Sequence, residues 1–182
     1  MADTHYKRRR STLDWWREWV HAAYYLTTDG ATPYYPKTKC NGGGWNWFGQ
    51  TSHYVDGICE ETCRDLGHTQ YGLAATINAA ETAYHQGIDL YGEQCRRITA
   101  AMEFHAALLT GEPVPSWLCN GSLHMDQHPT WEIGYNHYHN RLGLDLPFTK
   151  KLITQIRPTG TSRHGADHHM VWETLTHAEL GK

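Results

Sequence analysis

Asp56-Gly57-Ile58-Cys59-Glu60-Glu61-Thr62-Cys63-Arg64-Asp65-Leu66-Gly67-His68-Thr69-Gln70-Tyr71, continuing to Gln86, is the stretch on which the fold turns. Read as a helix, at about 100° per residue, it puts Arg64, His68 and Tyr71 at i, i+4 and i+7 on one face. Cys59, Cys63, Leu66, Leu73, Ile77, Ala80 and Tyr84 fall at three- and four-residue steps on the other side, an apolar stripe for packing. One face packs, and the other carries a cation, an imidazole and a phenol. A merely solvated polar face is the plain alternative. Against it stand the scarcity of Lys and Glu on that face and the presence of Gly67. A glycine costs roughly 1 kcal/mol relative to alanine inside a helix, so it marks a break or a close approach.

Outward from this stretch the chain reads as helices joined by loops. Ser11 or Thr12 can cap a first helix in which Leu13, Trp16, Val20 and Ala23 keep a helical beat. Residues 27–52 hold Asp29-Gly30, Pro33, Pro36 and Gly42-Gly43-Gly44. They form a long loop with Tyr34, Tyr35, Trp45 and Trp47 along it, and loops of that length tend to be functional or disordered. The central helix ends near Gly87, a C-cap residue. Residues 91–110 make the next helix, with Cys95, Ile98, Met102 and Leu109 inward and Gly111 and Pro113 as its stop. Residues 115–129 are again loop. Thr130 can cap a short helix over 131–142, closed by Gly143, and Pro147 suits the first position of a helix over 148–156. Residues 159–167 are loose, and 168–180 form a tail compact enough to dock. No stretch alternates like a strand, so the class is all-α.

Composition bounds the function. At 182 residues and 20.9 kDa the chain divides into a basic tail over 1–10, with Lys7-Arg8-Arg9-Arg10, and one domain over 11–182. A net charge of -3 gives no global reason to expect nucleic acid. No apolar run approaches the roughly 20 residues that span a bilayer, so no membrane is expected. With 8 Trp and 11 Tyr against 3 Phe, the aromatic content favours rings with a polar edge, which suit stacking on sugars. Of the five cysteines, Cys59 and Cys63 lie one helical turn apart, a spacing that reads as small buried apolar residues rather than a bridge. Asn120-Gly121-Ser122 matches the N-glycosylation triplet.

A second candidate stretch is Trp131-Glu132-Ile133-Gly134-Tyr135-Asn136-His137-Tyr138-His139-Asn140-Arg141. On a helix Glu132, Tyr135, Asn136 and His139 share a face, and His137 and Arg141 share another. His137 and His139 therefore diverge, which weighs against a His-x-His metal site, and neither Cys-x-x-Cys nor His-Glu-x-x-His occurs. No metal and no cofactor is assigned.

Several motifs occur here in the order in which they occur in the alginate-lyase superfamily of polysaccharide lyases. They are Asp56-Gly57, Glu61-Thr62, Arg64-Asp65, Gly67-His68-Thr69-Gln70, Ala80-Glu81, Ala83, Gln86-Gly87, Asp89-Leu90-Tyr91, Trp131 through Tyr138, Asn140-Arg141 and Arg157-Pro158-Thr159-Gly160. The chain resembles that superfamily over roughly residues 26–180. The resemblance implies an (α/α) toroid of antiparallel helix pairs with long aromatic-rich loops, β-elimination on uronic-acid polysaccharides such as alginate or glucuronan, and frequent secretion. Superfamily members usually carry further helix pairs upstream, so the match reads as the C-terminal part of a toroid whose N-terminal pairs are missing. On that expectation an apolar flank around Leu13, Trp16 and Val20 is left open for self-association or for a missing half.

Elimination across C4–C5 of a uronate needs its carboxylate neutralised, the weakly acidic C5 proton removed and the leaving glycosidic oxygen protonated. The resemblance implies Tyr71 as proton donor and a candidate base, His68 or His137 as the alternative base, and Arg64 with Asn136 stabilising the enolate-like carboxylate. Tyr135, Arg141, Glu61, Gln70 and Trp131, within the matched motifs, complete the candidate substrate-binding set. The partner expected is an acidic polysaccharide. A non-catalytic carbohydrate-binding remnant is the alternative, and a metal-dependent hydrolase using His137, His139, His168 and His169 ranks third.

Overall fold

Helices and loops make up the chain, and among the described residues the only β pairing is an isolated antiparallel bridge between Tyr24 and Cys59. The computed structural model describes residues 11–36, 47–50, 53–157, 169 and 172–178. The basic tail, Cys40, the glycines at 42–44, Trp45, residues 158–167 and His168 lie outside the described residues.

α1 (Thr12–Ala23) opens on the expected cap. Ser11 accepts from Asp14 N at 3.2 Å and Asp14 accepts from Ser11 N at 3.0 Å, a reciprocal box that satisfies two otherwise orphaned donors. Its apolar flank faces inward more than expected: Val20 is buried, and Leu13 and Trp16 are half-buried against the core. Two apolar clefts of about 340 and 280 Å³ remain on either side of Trp16, between α1 and the next helix.

The central helix begins later than the periodicity suggests. Residues 56–64 are turns, and α2 runs Leu66–His85. Gly57 sits at φ +91°, and a Cβ there would overlap the backbone carbonyl of Ala100. The chain then runs beside the end of α1, with Gly57 N donating to Tyr25 O at 2.9 Å and Glu60 N to Ala23 O at 2.8 Å. These bonds give the backbone partners that a helix would otherwise supply, so a glycine-enabled turn wins over the helical pattern. Asp65 caps α2 by accepting from His68 N at 2.7 Å. The predicted apolar stripe holds at Leu66, Leu73, Ile77 and Ala80, which are buried, whereas Tyr84 is 42% exposed.

Helix 91–110 resolves into α3 (Leu90–Glu93) and α4 (Cys95–Leu109), with Asp89 capping the first. The buried pair Arg97–Asp29 ties the 27–29 turn to α4, and Glu103 on α4 accepts from Phe148 N and Thr149 N at the start of α6 (Pro147–Ile156). Pro147 opens α6 as expected. α2, α3, α4, α6 and Trp131 through Tyr138 close around one core. A smaller cluster of Tyr25, Trp47, Ile58, Leu66 and Leu118 lies under the loops.

Two local expectations are corrected. Residues 132–141 are one turn of α-helix, α5 (Glu132–Tyr135), continued by a π-helical turn over Asn136–Arg141, in which Leu142 N reaches back to His137 O at 3.2 Å. No side chain at Thr130 or Trp131 caps α5. Its first donors, Glu132 N and Ile133 N, are instead accepted by Glu173 of the last helix, α7 (Glu173–His177). Cys63 is also not a buried apolar residue of α2: it is bonded to Cys119 across 56 residues, joining the turn before α2 to the 118–121 turn. Cys59 and Cys95 are free thiols.

Candidate active site

The start of α2 brings titratable side chains together. Asp65 uses both carboxylate oxygens locally. Oδ1 accepts the backbone N–H of His68, and Oδ2 lies 2.6 Å from His68 Nδ1. Burial alone would raise the Asp65 carboxyl, but the His68 N–H, the His68 ring and the charge of Arg64 more than offset it and hold it below the usual carboxylate range. With Nδ1 turned to the carboxylate, the Nε2 edge of His68 is the one that can meet a substrate, and the side chain is 41% exposed.

Tyr71 follows three residues later on the same helix, its ring 6.1 Å from that of His68. The ring of His128 is 4.5 Å from that of Tyr71, and the ring of His169 5.6 Å. The position of His128 is set by Gln70, whose Oε1 accepts from His128 N at 2.8 Å and from the Trp131 indole at 3.0 Å, while its Nε2 donates to Asp126 O and Leu66 O. Leu66 N donates to His124 O at 3.0 Å, so the 124–131 loop is fastened to α2 at several points. Gly67 is explained by this packing. The helix is unbroken there, and a Cβ would meet Asp65 Oδ1 at 3.0 Å and His128 Nε2 at 3.1 Å.

The predicted site residues separate into four groups. His68 and Tyr71 come together. Arg64 precedes α2 and so is not on the His68–Tyr71 face. It is 43% exposed, bonds Glu61 at 3.4 Å and lies over the Phe48 ring at 5.6 Å, and its charge reaches Asp65. Gln70 and Trp131 are fully buried and position the loop rather than present groups to a ligand.

The fourth group sits at the far end of α2. His137 stacks on Tyr91 at 3.7 Å and meets Tyr84 at 5.1 Å. Tyr84 is thirteen residues beyond Tyr71 on α2, about 20 Å of helix rise. His137 is therefore removed as the alternative base: it is 2% exposed, and burial, with Arg141 adding to it, lowers its pKa so that it is neutral packing. Arg141 forms a two-pronged pair with Glu81 at 2.8 and 3.1 Å, Asn136 donates to His177 O at 2.7 Å, and the buried Tyr135 stacks on His139 at 4.6 Å. These residues hold helices together.

Asp65, His128 and His169 join the site although periodicity did not select them. Asp65 had a legible signal, an N-cap acid three residues before a histidine. His128 had none, because a buried glutamine places it. Among the described residues no three His, Cys, Asp or Glu side chains are grouped to hold a metal ion.

No family model, curated protein or solved structure matches this chain.

Proposed function

We propose that this chain is a polysaccharide lyase that cleaves a uronic-acid polysaccharide of the alginate or glucuronan type by β-elimination, on an (α/α) toroid-type fold. The observation that carries the reading is the Asp65–His68–Tyr71 constellation, an oriented imidazole and a phenol one turn apart on a half-exposed helix start. In the proposed step His68 Nε2 takes the C5 proton, and the electron pair forms the C4=C5 bond as the C4–O bond breaks. The Tyr71 hydroxyl delivers its proton to the leaving glycosidic oxygen and regains one from solvent. Arg64, exposed on the turn before α2 and outside the His68–Tyr71 face, is assigned to reach the uronate carboxylate from the side as negative charge builds there, and a guanidinium fits a carboxylate with two parallel bonds. Asp65 fixes the His68 tautomer and stabilises the imidazolium that forms, as a carboxylate does behind a general base.

The test is incubation of the folded chain with a panel of polyuronates while near-ultraviolet absorbance of unsaturated ends is followed. A rising signal on at least one polymer, abolished in Tyr71→Phe, supports the reading. Saturable binding of the same polymers without any signal identifies the carbohydrate-binding remnant instead.

A further inference from the structure

Asn120-Gly121-Ser122 is the one Asn-x-Ser/Thr triplet in the chain, and the function proposed above makes no use of it. Such triplets also arise by chance, so the sequence match carries little by itself. The structure adds two observations to it. The first is presentation. The Leu118–Gly121 turn is held from below: Leu118 and Cys119 are buried, Leu118 N donates to Pro115 O at 3.0 Å, and Cys119 N donates to Gln50 Oε1 at 3.0 Å. Asn120, Gly121 and Ser122 are all exposed at its tip. The backbone accounts for two of the three residues without any ligand, since Asn120 lies at φ +57° and Gly121 at φ +76°, where asparagine and glycine are the tolerated choices. It does not account for the hydroxyl. Ser122 is in extended backbone at φ -122°, which any residue adopts.

The second observation is the neighbour. Cys119, immediately before the triplet, is half of the Cys63–Cys119 disulfide. Disulfides form and persist in oxidising compartments such as the secretory lumen and are rare where cytosolic reductants keep thiols reduced. An Asn-x-Ser/Thr triplet on the surface of a secreted protein is an acceptor for N-linked glycan. We propose that Asn120 is an N-glycosylation site, taking an oligosaccharide from a lipid-pyrophosphate-linked donor in the compartment where Cys63–Cys119 forms.

In the transfer, Nδ2 of Asn120 bonds to C1 of the donor sugar as the bond from C1 to the pyrophosphate oxygen breaks. The lipid pyrophosphate leaves with that electron pair, and the amide gives up one proton and keeps the other, so neither oxidant nor reductant is consumed. Ser122 supplies the hydroxyl two residues on that completes the acceptor. The folded turn can carry the product. A glycan is bulky and solvated, and here it projects from exposed residues while Leu118 and Cys119 stay packed with Tyr25, Trp47, Ile58 and Leu66. The modification is independent of what the site on α2 acts on, so either can fail without the other.

The experiment passes the full chain through the secretory pathway of a eukaryotic host and measures the intact mass of the recovered protein before and after peptide-N-glycosidase in ¹⁸O-labelled water, with non-reducing peptide mapping on the same sample. The expected result is a mass that falls on digestion, conversion of Asn120 to an ¹⁸O-labelled Asp, and Cys63 linked to Cys119. Ser122→Thr keeps a hydroxyl and keeps the modification, whereas Ser122→Ala loses it. Asn120→Gln also loses it, and because that change sits at positive φ and can disturb the turn, the Ser122 pair decides the point in extended backbone. Wild-type protein recovered with the disulfide formed and Asn120 as a plain amide overturns the proposal, and so does a Ser122→Ala protein that is still modified there. Recovery with Cys63 and Cys119 as free thiols removes the compartment on which the site depends and overturns it as well.

Discussion

Replacing Asp65 by Asn separates its two jobs. Asn and Asp cap helices about equally well, so α2 keeps its first turn, and the side-chain oxygen that accepts His68 N remains. The contact at 2.6 Å between Oδ2 and His68 Nδ1 changes from charge-assisted to neutral. Charge-assisted bonds are roughly twice as strong as neutral ones, and the pair is partly solvated, which puts the stability loss at about 1 kcal/mol or less. Catalysis suffers more. An amide can turn its NH₂ toward Nδ1, moving the ring proton to Nε2, so the nitrogen that should take the C5 proton becomes a donor. It also removes the negative charge behind the imidazolium. Both losses fall on the general-base step, which is worth about 10²–10⁴ in rate. The assay pairs initial rates of unsaturated-end formation with a urea midpoint for each protein. An Asp65→Asn protein that turns over within about twofold of the wild type, with the expected small loss of stability, refutes the assignment of His68 as an Asp65-oriented base.

Tyr71→Phe keeps the ring beside His68, His128 and His169 and loses only the hydroxyl, so turnover should fall about 10²–10⁴-fold with an unchanged circular dichroism spectrum. His137→Ala empties a buried ring position against Tyr91 and should destabilise the chain by about 2–3 kcal/mol in a denaturant titration. Reducing Cys63–Cys119, or replacing both by Ser, frees a crosslink of 56 residues and should lower unfolding stability by about 2–4 kcal/mol, read from the urea midpoint. On the acid side, Asp65 and Glu81 have lowered pKa values, so the stability they contribute is present above their ordinary 3.8 and 4.5 and disappears as pH falls through their folded values. Urea midpoints measured downward from pH 6 should show this loss, and Asp65→Asn should flatten part of it.

Much of the helical skeleton was legible because its signals are local. The Ser11–Asp14 box, Pro147, Gly87 and Gly143 each act within one turn of chain, and the stripe through Leu66, Leu73, Ile77 and Ala80 has the helical period. What was missed depends on contacts across the sequence. The 56–64 stretch has the helical period too, but Gly57 at positive φ and backbone bonds to 23–25 divert it, and Arg64 leaves the face with it. Cys63 finds Cys119, and Glu173 rather than Thr130 accepts the first donors of α5. His68 and Tyr71 were found together because they sit on one continuous helix. His128 reaches them only through the side chain of Gln70, and His137, adjacent in motif, belongs to the opposite end of α2.

The central claim is elimination rather than hydrolysis, and isotope incorporation tests it most directly. Polyuronate digested by the folded chain in ¹⁸O-labelled water is analysed by mass spectrometry of the new chain ends. β-Elimination adds no water, so the account predicts unsaturated uronate ends lighter by one water than hydrolysis products and free of label at the cleaved bond. Saturated ends carrying one ¹⁸O would contradict it and establish a hydrolase.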